Sequence, residues 1–427
     1  MLRILINAYA CCPNMGSEPG MAWNWVTNLA KYSELFIITE SEFKDKVECA
    51  VANFSYSENL HFFFLPIIED DEEKSSEIRK RCWNQGDWRF YIDYAKWQMR
   101  SLITARKVCT QNKIDVLHQL NMIGFREPGR WYKLSRETGI PLIWGPTNAK
   151  ASFPMAYLSG APLTRKLFIY LKTFITRQQL RFSKHVKETA KQASFVVAAS
   201  SDSGDSIRKY LKIEPIIINE SGCDIEDVNI EKTCKKKTLD LLWVGRFLFT
   251  KQLDLALKVI ANIKNDDIRL HIVGGTLEEE KPYRKIVEKL GIPNRIVWHQ
   301  KVSHAEVQKL MQDSDLFFFT SIAEGTPHVI LEALNNSLPV LCFDTCGHGD
   351  CVNDKVGIKL KLTTPDQSIK EFAEKIEYLY SHREVLDNMS RNCLLRAEDL
   401  TWDNKAMQML DLYNRVVENR KHNTSSI

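Results

Sequence analysis

The chain has 427 residues, of which 44% are hydrophobic and 26% are charged, and its formal net charge is +4. This length and composition are typical of a globular protein with two or three buried cores. The small net charge gives no support for nucleic-acid binding, and no run of about 18 apolar residues predicts a membrane-spanning helix. The 11 cysteines follow no disulfide-framework spacing, which favours a reducing, cytoplasmic compartment.

Strand and helix patterns alternate through the first half of the sequence, which predicts a parallel, doubly wound sheet in residues 1–224. The apolar N-terminus is short and is interrupted by Asn7, so we interpret it as the first strand and not as a signal peptide. The predicted strands are the mainly apolar segments 3–9, 35–39, 61–66, 114–119, 141–144, 194–199 and 215–219.

The loop after the first predicted strand, in segment 12–20, contains Gly16. A glycine allows the backbone to approach a ligand closely at the carboxyl edge of a parallel sheet. The alternative is a tight loop in which the side chain of Ser17 or Glu18 caps the following helix.

A single histidine, His118, lies near the end of the predicted strand 114–119. Ligands of parallel sheets bind at the carboxyl ends of the strands, so His118 is a candidate ligand contact. The alternative is a buried histidine whose ring nitrogens are satisfied by hydrogen bonds within the protein.

The segment 163–191 combines many basic residues with a single acid, Glu188, and with interleaved large apolar residues. A basic amphipathic helix is typical of attachment to an anionic membrane surface. The alternative is an ordinary domain helix with a solvated basic face. The basic residues are Arg165, Lys166, Lys172, Arg177, Arg181, Lys184, Lys187 and Lys191.

A charged, aperiodic stretch at 225–238 is the predicted linker between two domains. From residue 239 a second alternation of strands and helices predicts another doubly wound sheet, in a domain at 239–395. The final segment, 396–427, is predicted as a helix that crosses back to the first domain.

The first strand of the second domain leads into a loop with Gly245 and Arg246. We predict Thr250 as the N-cap of the next helix, which places Lys251 in its first turn. A lysine there is unfavourable unless an anion neutralises it, so Arg246 and Lys251 are candidate phosphate ligands. The following predicted strand ends in Gly274 and Gly275, which allow close approach of a ligand.

Two carboxylates, Glu324 and Glu332, flank a Gly-Thr-Pro turn that follows a buried strand. Thr326 is predicted as a helix N-cap and Pro327 as the first helical residue, so free N–H groups form an anion site. His328 and Glu332 then lie on one face of this helix. The alternative is a helix-capping turn with two surface carboxylates.

Two other patterns suggest metal ligands, and we predict no metal at either. Asp313 and Asp315 have D-x-D spacing, but we expect them to terminate a helix before a buried strand. The group Cys342, Cys346, His348 and Cys351 lacks paired C-x2-C knuckles, and segment 347–349 is predicted as a flexible loop near the ligand.

Glu324 and Glu332 match the E-x7-E motif, and Gly245, Arg246 and Lys251 match the G-R-x4-K motif, of retaining family 4 glycosyltransferases. The sequence resembles the polysaccharide-biosynthesis branch of this family over nearly its whole length. The resemblance implies the GT-B fold: two Rossmann-like domains that face each other across a cleft, with 1–224 on the acceptor side and 239–395 binding the nucleotide sugar.

The resemblance also implies roles for individual residues. The catalytic group would be Glu324, at the transferred sugar, with His118, Arg246 and Lys251. The residues that hold the donor would be Gly16, Gly245, Arg246, Lys251, Gly274, Gly275, Glu324, Gly325, Thr326, Pro327, His328, Val329 and Glu332, the last on the nucleotide ribose.

The activity implied is metal-independent transfer of a sugar, with retention of configuration, from a UDP- or GDP-linked donor to a glycan or lipid-linked glycan. No further cofactor and no nucleic-acid partner are expected. The protein would act in the cytoplasm, with segment 163–191 on the inner face of an anionic membrane. The alternatives are a nucleotide-sugar epimerase of the same fold and a non-catalytic sugar-nucleotide-binding partner.

Overall fold

The computed structural model describes residues 1–68, 71–83, 87–225 and 237–425. The chain divides into two compact units, each built around one parallel sheet. Unit 1 comprises Met1–Ala151, Leu171–Glu220 and Trp402–Ile427, and unit 2 comprises Ser152–Tyr170 and Ser221–Thr401.

Unit 1 contains a seven-stranded parallel sheet in the order β3-β2-β1-β4-β5-β6-β7. The seven predicted strands of the first domain are all present, with ends that differ by one to three residues. The elements up to the second unit are β1 Leu2–Ala8, α1 Ser17–Leu29, β2 Ser33–Glu40, α2 Lys44–Val51, β3 Leu60–Leu65, α3 Glu72–Trp83, α4 Phe90–Gln111, β4 Val116–Asn121, α5 Trp131–Thr138, β5 Leu142–Thr147, α6 Leu163–Phe182, α7 Lys184–Gln192, β6 Ala193–Ala198, α8 Ser201–Leu211 and β7 Ile216–Ile217.

Unit 2 contains a six-stranded parallel sheet in the order β10-β9-β8-β11-β12-β13. Helices cover both faces, which explains why strands such as Leu316–Phe319 are apolar throughout. The elements are β8 Leu239–Val244, α9 Leu253–Asn262, β9 Ile268–Val273, α10 Leu277–Leu290, β10 Ile296–Gln300, α11 His304–Asp313, β11 Leu316–Phe319, α12 His328–Asn335, β12 Val340–Phe343, α13 Cys346–Cys351, β13 Gly357–Leu360, α14 Pro365–Ser381, α15 Arg383–Asp399 and α16 Trp402–Ser425.

The predicted domain boundaries differ from the observed units in three places: 152–170, 221–224 and 396–401 all belong to unit 2. Ser152–Tyr170 belongs to unit 2, although the sequence predicted it in the first domain. The cause is local packing, because Phe153 and Tyr157 join the apolar core of unit 2. The Tyr157 hydroxyl also lies 2.6 Å from the hydroxyl of Ser368, on α14. The central part of the predicted linker, residues 226–236, lies outside the described residues.

The last helix, α16, belongs to unit 1 and contributes a stripe of buried residues to its core. Trp402 packs edge-to-face on Trp25, with ring centroids 6.2 Å apart. Lys31 and Tyr32 also contact the Asp403 carboxylate, at 2.9 Å from Oδ1 in both cases. In the part of the chain that the structure describes, no helix is long and apolar enough to cross a membrane.

Candidate functional site

The two predicted anion-binding motifs of unit 2 follow neighbouring strands. The loop 245–252 follows β8, and the turn 320–327 follows β11, which pairs with β8. The strand order of the sheet reverses between these two strands. This reversal is the position at which open parallel sheets bind ligands, outside the carboxyl ends of the strands.

Hydrogen bonds hold the two loops together. The Thr320 hydroxyl donates to the backbone oxygens of Lys251 and Gln252, at 2.8 and 3.2 Å. The Ser321 hydroxyl and the Ile322 N–H both reach the backbone oxygen of Thr250, at 3.2 and 2.9 Å. The loop that contains Lys251 is therefore fixed relative to the turn that contains Glu324.

These bonds also explain why the predicted start of α9 was wrong. Thr250 is not an N-cap, because residues Phe249–Lys251 form a short 3-10 turn. Gln252 precedes α9 instead, in a left-handed conformation with φ of 53°. Lys251 consequently lies just before the helix and not in its first turn.

Lys251 and Glu324 form an ion pair, with Nζ 2.5 Å from Oε1 and side chains that are 13% and 19% exposed. The Ser321 hydroxyl donates to the same carboxylate oxygen at 2.8 Å. The ammonium also lies 5.2 Å from the centre of the Phe319 ring. The anion that neutralises Lys251 within the protein is therefore the first glutamate of the E-x7-E motif.

Arg246 differs from Lys251, because its side chain is exposed and forms no hydrogen bond or ion pair with any residue that the structure describes. Arg246 directly follows Gly245 in the sequence. The Gly245 N–H donates to the backbone oxygen of Val273 at 3.0 Å. The loop thus presents one fixed cation, Lys251, and one that is available to an external anion.

The helix after the E-x7-E turn, α12, begins one residue later than predicted. Pro327 is its N-cap residue, and no side chain caps the helix. Thr326 was predicted for that role but is buried, with 5% exposure. The first-turn N–H groups, from His328 and Val329, have no partner within a helix and give the turn its positive character.

His328 and Glu332 lie one turn apart on α12, as predicted. A ring nitrogen of His328 lies 3.4 Å from the hydroxyl of Ser221, and the Glu332 carboxylate lies 3.5 Å from a ring nitrogen of His304. Glu332 is part-exposed, so it retains acceptor capacity for hydroxyl groups.

Helix α13 supports the E-x7-E turn, and the sequence reading missed this role. The Glu324 N–H donates to the Cys346 sulfur at 3.3 Å, and the Gly347 N–H donates to the Gly325 oxygen at 3.1 Å. A methyl group on Gly347 would lie 2.7 Å from the Thr326 Cα and 2.8 Å from the Gly325 oxygen. The predicted flexible loop at 347–349 is thus a buried helix, and Gly347 is required by its close approach to the turn.

Gly274 and Gly275 both have positive φ, of 122° and 75°, which favours glycine. A Cβ atom on Gly275 would lie 2.6 Å from the Phe247 ring, and one on Gly274 would lie 3.0 Å from the Gly245 carbonyl carbon. Close packing against the loop after β8 explains why both positions are glycine. Their contact with a donor stays a prediction.

His118, in unit 1, is a structural residue, so its prediction as a catalytic residue was wrong. Strand β4 continues to Asn121, which places His118 inside the strand and fully buried. Its Nδ1 lies 2.6 Å from the Tyr413 hydroxyl, and its Nε2 lies 2.6 Å from the Gly145 oxygen. Burial lowers the pKa of His118 to about 4, so the ring is neutral and both nitrogens are used.

Gly16 is the residue that precedes α1, also in unit 1, and a Cβ atom there would have no neighbour within 4 Å. No side chain caps α1, so neither Ser17 nor Glu18 has the alternative capping role. The Glu18 carboxylate instead accepts from the Ile123 N–H, at 3.1 Å. Burial raises the pKa of Glu18 to about 7, and the sequence predicted this residue only as a helix cap.

The two metal-like patterns have structural explanations. Asp313 is the last residue of α11, as predicted. Asp315 lies before β11, at the opposite end of that strand from the E-x7-E turn, and its carboxylate accepts from the Asp240 N–H at 2.8 Å. Among the described residues, no group of three or more His, Cys, Asp or Glu side chains is arranged to hold a metal ion, including the cysteines around α13.

Comparisons with known proteins agree with this geometry. Residues 225–394 match the family model of Glycosyl transferases group 1. An uncharacterized glycosyltransferase of Methanocaldococcus jannaschii is 22% identical over 253 residues, which cover 58% of this chain and 63% of that protein. The chain thus spans less than two-thirds of the length of that curated relative.

Two solved structures match nearly the whole chain. The apo form of the lipopolysaccharide outer core galactosyltransferase WaaB has a TM-score of 0.60 at 15% identity, with 96% of this chain and 99% of WaaB covered. Anabaena HepE in complex with UDP and glucose has a TM-score of 0.52 at 15% identity, with 97% and 100% covered. The two Rossmann-like units therefore have the GT-B fold, as predicted, and the group 1 match falls on the unit that contains both anion motifs.

Proposed function

We propose that this protein is a glycosyltransferase that moves a sugar from a nucleoside-diphosphate donor to a glycan or lipid-linked glycan acceptor. The observation that carries the proposal is the Lys251–Glu324 ion pair at the carboxyl ends of β8 and β11, beside the start of α12. It combines a cation for a diphosphate with a carboxylate for sugar hydroxyls. The similarity to WaaB, a galactosyltransferase, and to HepE, which binds UDP and glucose, supports the same class of reaction.

The donor would contact three kinds of group in unit 2. Arg246 offers a planar fork for phosphate oxygens, and Lys251 offers a point charge. The first-turn N–H groups of α12 offer hydrogen bonds aligned with the helix dipole. Glu332, one turn further along α12, would accept hydrogen bonds from the ribose. A UDP- or GDP-linked sugar satisfies all of these contacts. The contacts involve the diphosphate and the ribose, so they do not distinguish uracil from guanine.

Catalysis in this proposal is stabilisation of the leaving diphosphate. The bond between the anomeric carbon and the diphosphate oxygen breaks while the acceptor hydroxyl oxygen bonds to the same carbon. The acceptor proton passes to the departing diphosphate oxygen, which has kept the electron pair of the broken bond. Negative charge grows on the diphosphate, where Lys251 is held in advance by its ion pair and Arg246 is available as a second cation. Glu324 would orient the transferred sugar. Retention of the anomeric configuration is part of the proposal through the family resemblance.

We place the reaction in the cytoplasm at the inner face of a membrane, without a nucleic-acid partner and without a cofactor beyond the donor. His118 takes no part in the mechanism, because both of its nitrogens are bonded inside the protein. Glu18 is a titratable group of unit 1 that we propose for contact with an acceptor, since it lies where β1 and β4 end at the reversal of strand order.

The proposal is tested by incubating the protein with UDP- and GDP-sugars, with and without lipid-linked glycan extracts, and identifying the products by mass spectrometry. A glycoside and a nucleoside diphosphate that form only with acceptor are expected. An isomerised nucleotide sugar without acceptor indicates an epimerase. Donor binding without any product indicates a non-catalytic partner.

The two glutamates are expected to affect different kinetic constants. Glu332→Ala should mainly raise the donor KM, because ribose contacts are similar in the ground and transition states. Glu324→Gln should mainly lower kcat, because Glu324 faces the transferred sugar and its charge is paired with Lys251. Glu288→Ala, on an exposed surface of α10, is the control. The same pure KM defect in both site variants contradicts this division of roles.

EDTA is expected to leave activity nearly intact. Cationic side chains and a helix N-terminus neutralise the diphosphate in this proposal, which is the work that a divalent metal does in other enzymes. Activity is measured after EDTA treatment and again after Mg²⁺ or Mn²⁺ is added back. Loss of activity that either metal restores would overturn metal independence and would require a new search for ligands.

A further inference from the structure

Phe247 directly follows Arg246 and packs on three other aromatic rings of unit 2. Its ring centroid lies 5.9 Å from that of Trp243, 5.3 Å from that of Tyr283 and 6.4 Å from that of Trp298. The rings of Tyr283 and Trp298 meet it at 72° and 66°, which is the edge-to-face arrangement that aromatic pairs favour. Phe247 therefore attaches the loop after β8 to the apolar core of the unit.

The rings that receive Phe247 are themselves fixed. Trp243 is 1% exposed, and its Nε1 donates to the Thr320 hydroxyl at 3.0 Å. The Arg284 guanidinium covers the Trp298 ring, with its carbon 4.9 Å from the ring centroid. Arg284 is in turn paired with the buried Glu280 carboxylate at 2.7 Å. The aromatic cluster is thus a rigid support for the Phe247 side chain.

The backbone on both sides of Phe247 leaves its ring little room to move. The Leu248 N–H donates to the Arg246 oxygen at 2.7 Å, so Phe247 is the central residue of a γ-turn. The ring also lies against Gly275, where a Cβ atom would be 2.6 Å from it. A displacement of the Phe247 ring therefore displaces the peptide that carries Arg246.

The two cations of this loop are held in different ways. The backbone oxygen of Lys251 accepts from the Thr320 hydroxyl at 2.8 Å, and the Lys251 ammonium is paired with Glu324. The Arg246 side chain is exposed and has no hydrogen bond or ion pair with any described residue. The location of Arg246 consequently depends on its backbone, and that backbone depends on Phe247.

We infer that Phe247 is a positioning residue for the transfer reaction, because its packed ring sets where Arg246 meets the diphosphate. This inference rests on the proposed function, since it takes the donor diphosphate as the ligand of Arg246. Misplacement of a binding group by about 1 Å is enough to lower turnover about 100-fold. Phe247 acts through Arg246, so its contribution should disappear when Arg246 is absent.

The test is a double-mutant cycle on the full-length protein that combines Phe247→Ala with Arg246→Ala. Turnover is measured with UDP- and GDP-linked sugars and lipid-linked glycan extracts, and binding of UDP and GDP is measured by calorimetry. Phe247→Leu keeps an apolar side chain and serves if Phe247→Ala does not fold. Leu248→Ala is the matched control, because this neighbouring side chain is 43% exposed.

Phe247→Ala should lower turnover about 100-fold while Arg246 is present. In the Arg246→Ala background the same change should cost less than about 3-fold, because there is no guanidinium left to displace. Phe247→Leu should show the same dependence on Arg246 with a loss of about 10-fold. The midpoint of thermal unfolding should fall equally in both backgrounds, since the ring packs on the core whether or not Arg246 is present. The control should keep native turnover.

The outcomes that contradict the inference separate it from the proposed function. Equal losses of turnover in the two backgrounds overturn the inference alone, because the ring then stabilises the loop without acting through Arg246. Native turnover in Phe247→Ala and Phe247→Leu also overturns the inference alone. Native turnover together with native UDP and GDP binding in Arg246→Ala overturns both, because the loop then has no diphosphate contact for Phe247 to position.

Discussion

Lys251→Ala is expected to lower turnover by on the order of 10²-fold or more, because it removes a charge-assisted contact to the developing diphosphate. The same substitution leaves the Glu324 carboxylate without the cation that lies 2.5 Å from it. Some loss of stability is therefore expected as well, of about 1–3 kcal/mol for an unpaired, part-buried charge. Initial rates and thermal unfolding of the same preparation measure both effects.

Arg246→Ala separates these two effects. Arg246 is exposed and has no partner among the described residues, so this variant should lose turnover to a similar degree while it keeps the stability of the native protein. Lys258→Ala, on the exposed side of α9, is the control. Native activity in both Lys251→Ala and Arg246→Ala contradicts the diphosphate site.

Gly347→Ala is expected to lower activity by displacing the E-x7-E turn, against which Gly347 packs. The added methyl group would lie 2.7 Å from the Thr326 Cα and 2.8 Å from the Gly325 oxygen, so α13 or the E-x7-E turn must move. A displaced turn should lower kcat/KM by about 100-fold, because misplacement of binding groups by about 1 Å has effects of this size. Overpacking should also cost about 1–3 kcal/mol of stability.

Gly160→Ala is the matched control for this prediction, because a Cβ atom there has no neighbour within 4 Å. Steady-state kinetics with a varied donor concentration, together with thermal unfolding, measures the two effects. If Gly347→Ala keeps native kinetics and native stability, α13 does not support the turn in the way that its contacts indicate.

The parallel sheets and the two anion loops could be predicted because local patterns encode them. Apolar runs bounded by glycine and charge mark buried parallel strands, and both motifs lie at the carboxyl ends of such strands. The helices α9 and α12 begin later than the sequence predicted, at positions where the chain makes long-range contacts. The Thr320 hydroxyl bonds to the backbone oxygen of Lys251, which ends a 3-10 turn before α9, and Thr326 is buried beside Gly347 of α13 and does not cap α12.

The errors about His118 and Gly347 have the same origin. The partner of His118 is Tyr413, which is 295 positions away in sequence, so no local pattern distinguishes a bonded histidine from a ligand contact. Gly347 lies in a stretch of small residues that is typical of a loop. Its role in supporting the E-x7-E turn depends on its contact with Gly325, which is distant in sequence. The cysteine before it, Cys346, offered no signal for its bond to the Glu324 N–H.

The most direct test of the diphosphate site is a crystal structure of the protein with a UDP- or GDP-linked sugar bound. We expect the diphosphate oxygens within hydrogen-bonding distance of Lys251, Arg246 and the first N–H groups of α12, with Glu332 on the ribose and Glu324 at the sugar. A nucleotide sugar bound elsewhere, with the Lys251–Glu324 pair and Arg246 untouched, would contradict the proposed function at its centre.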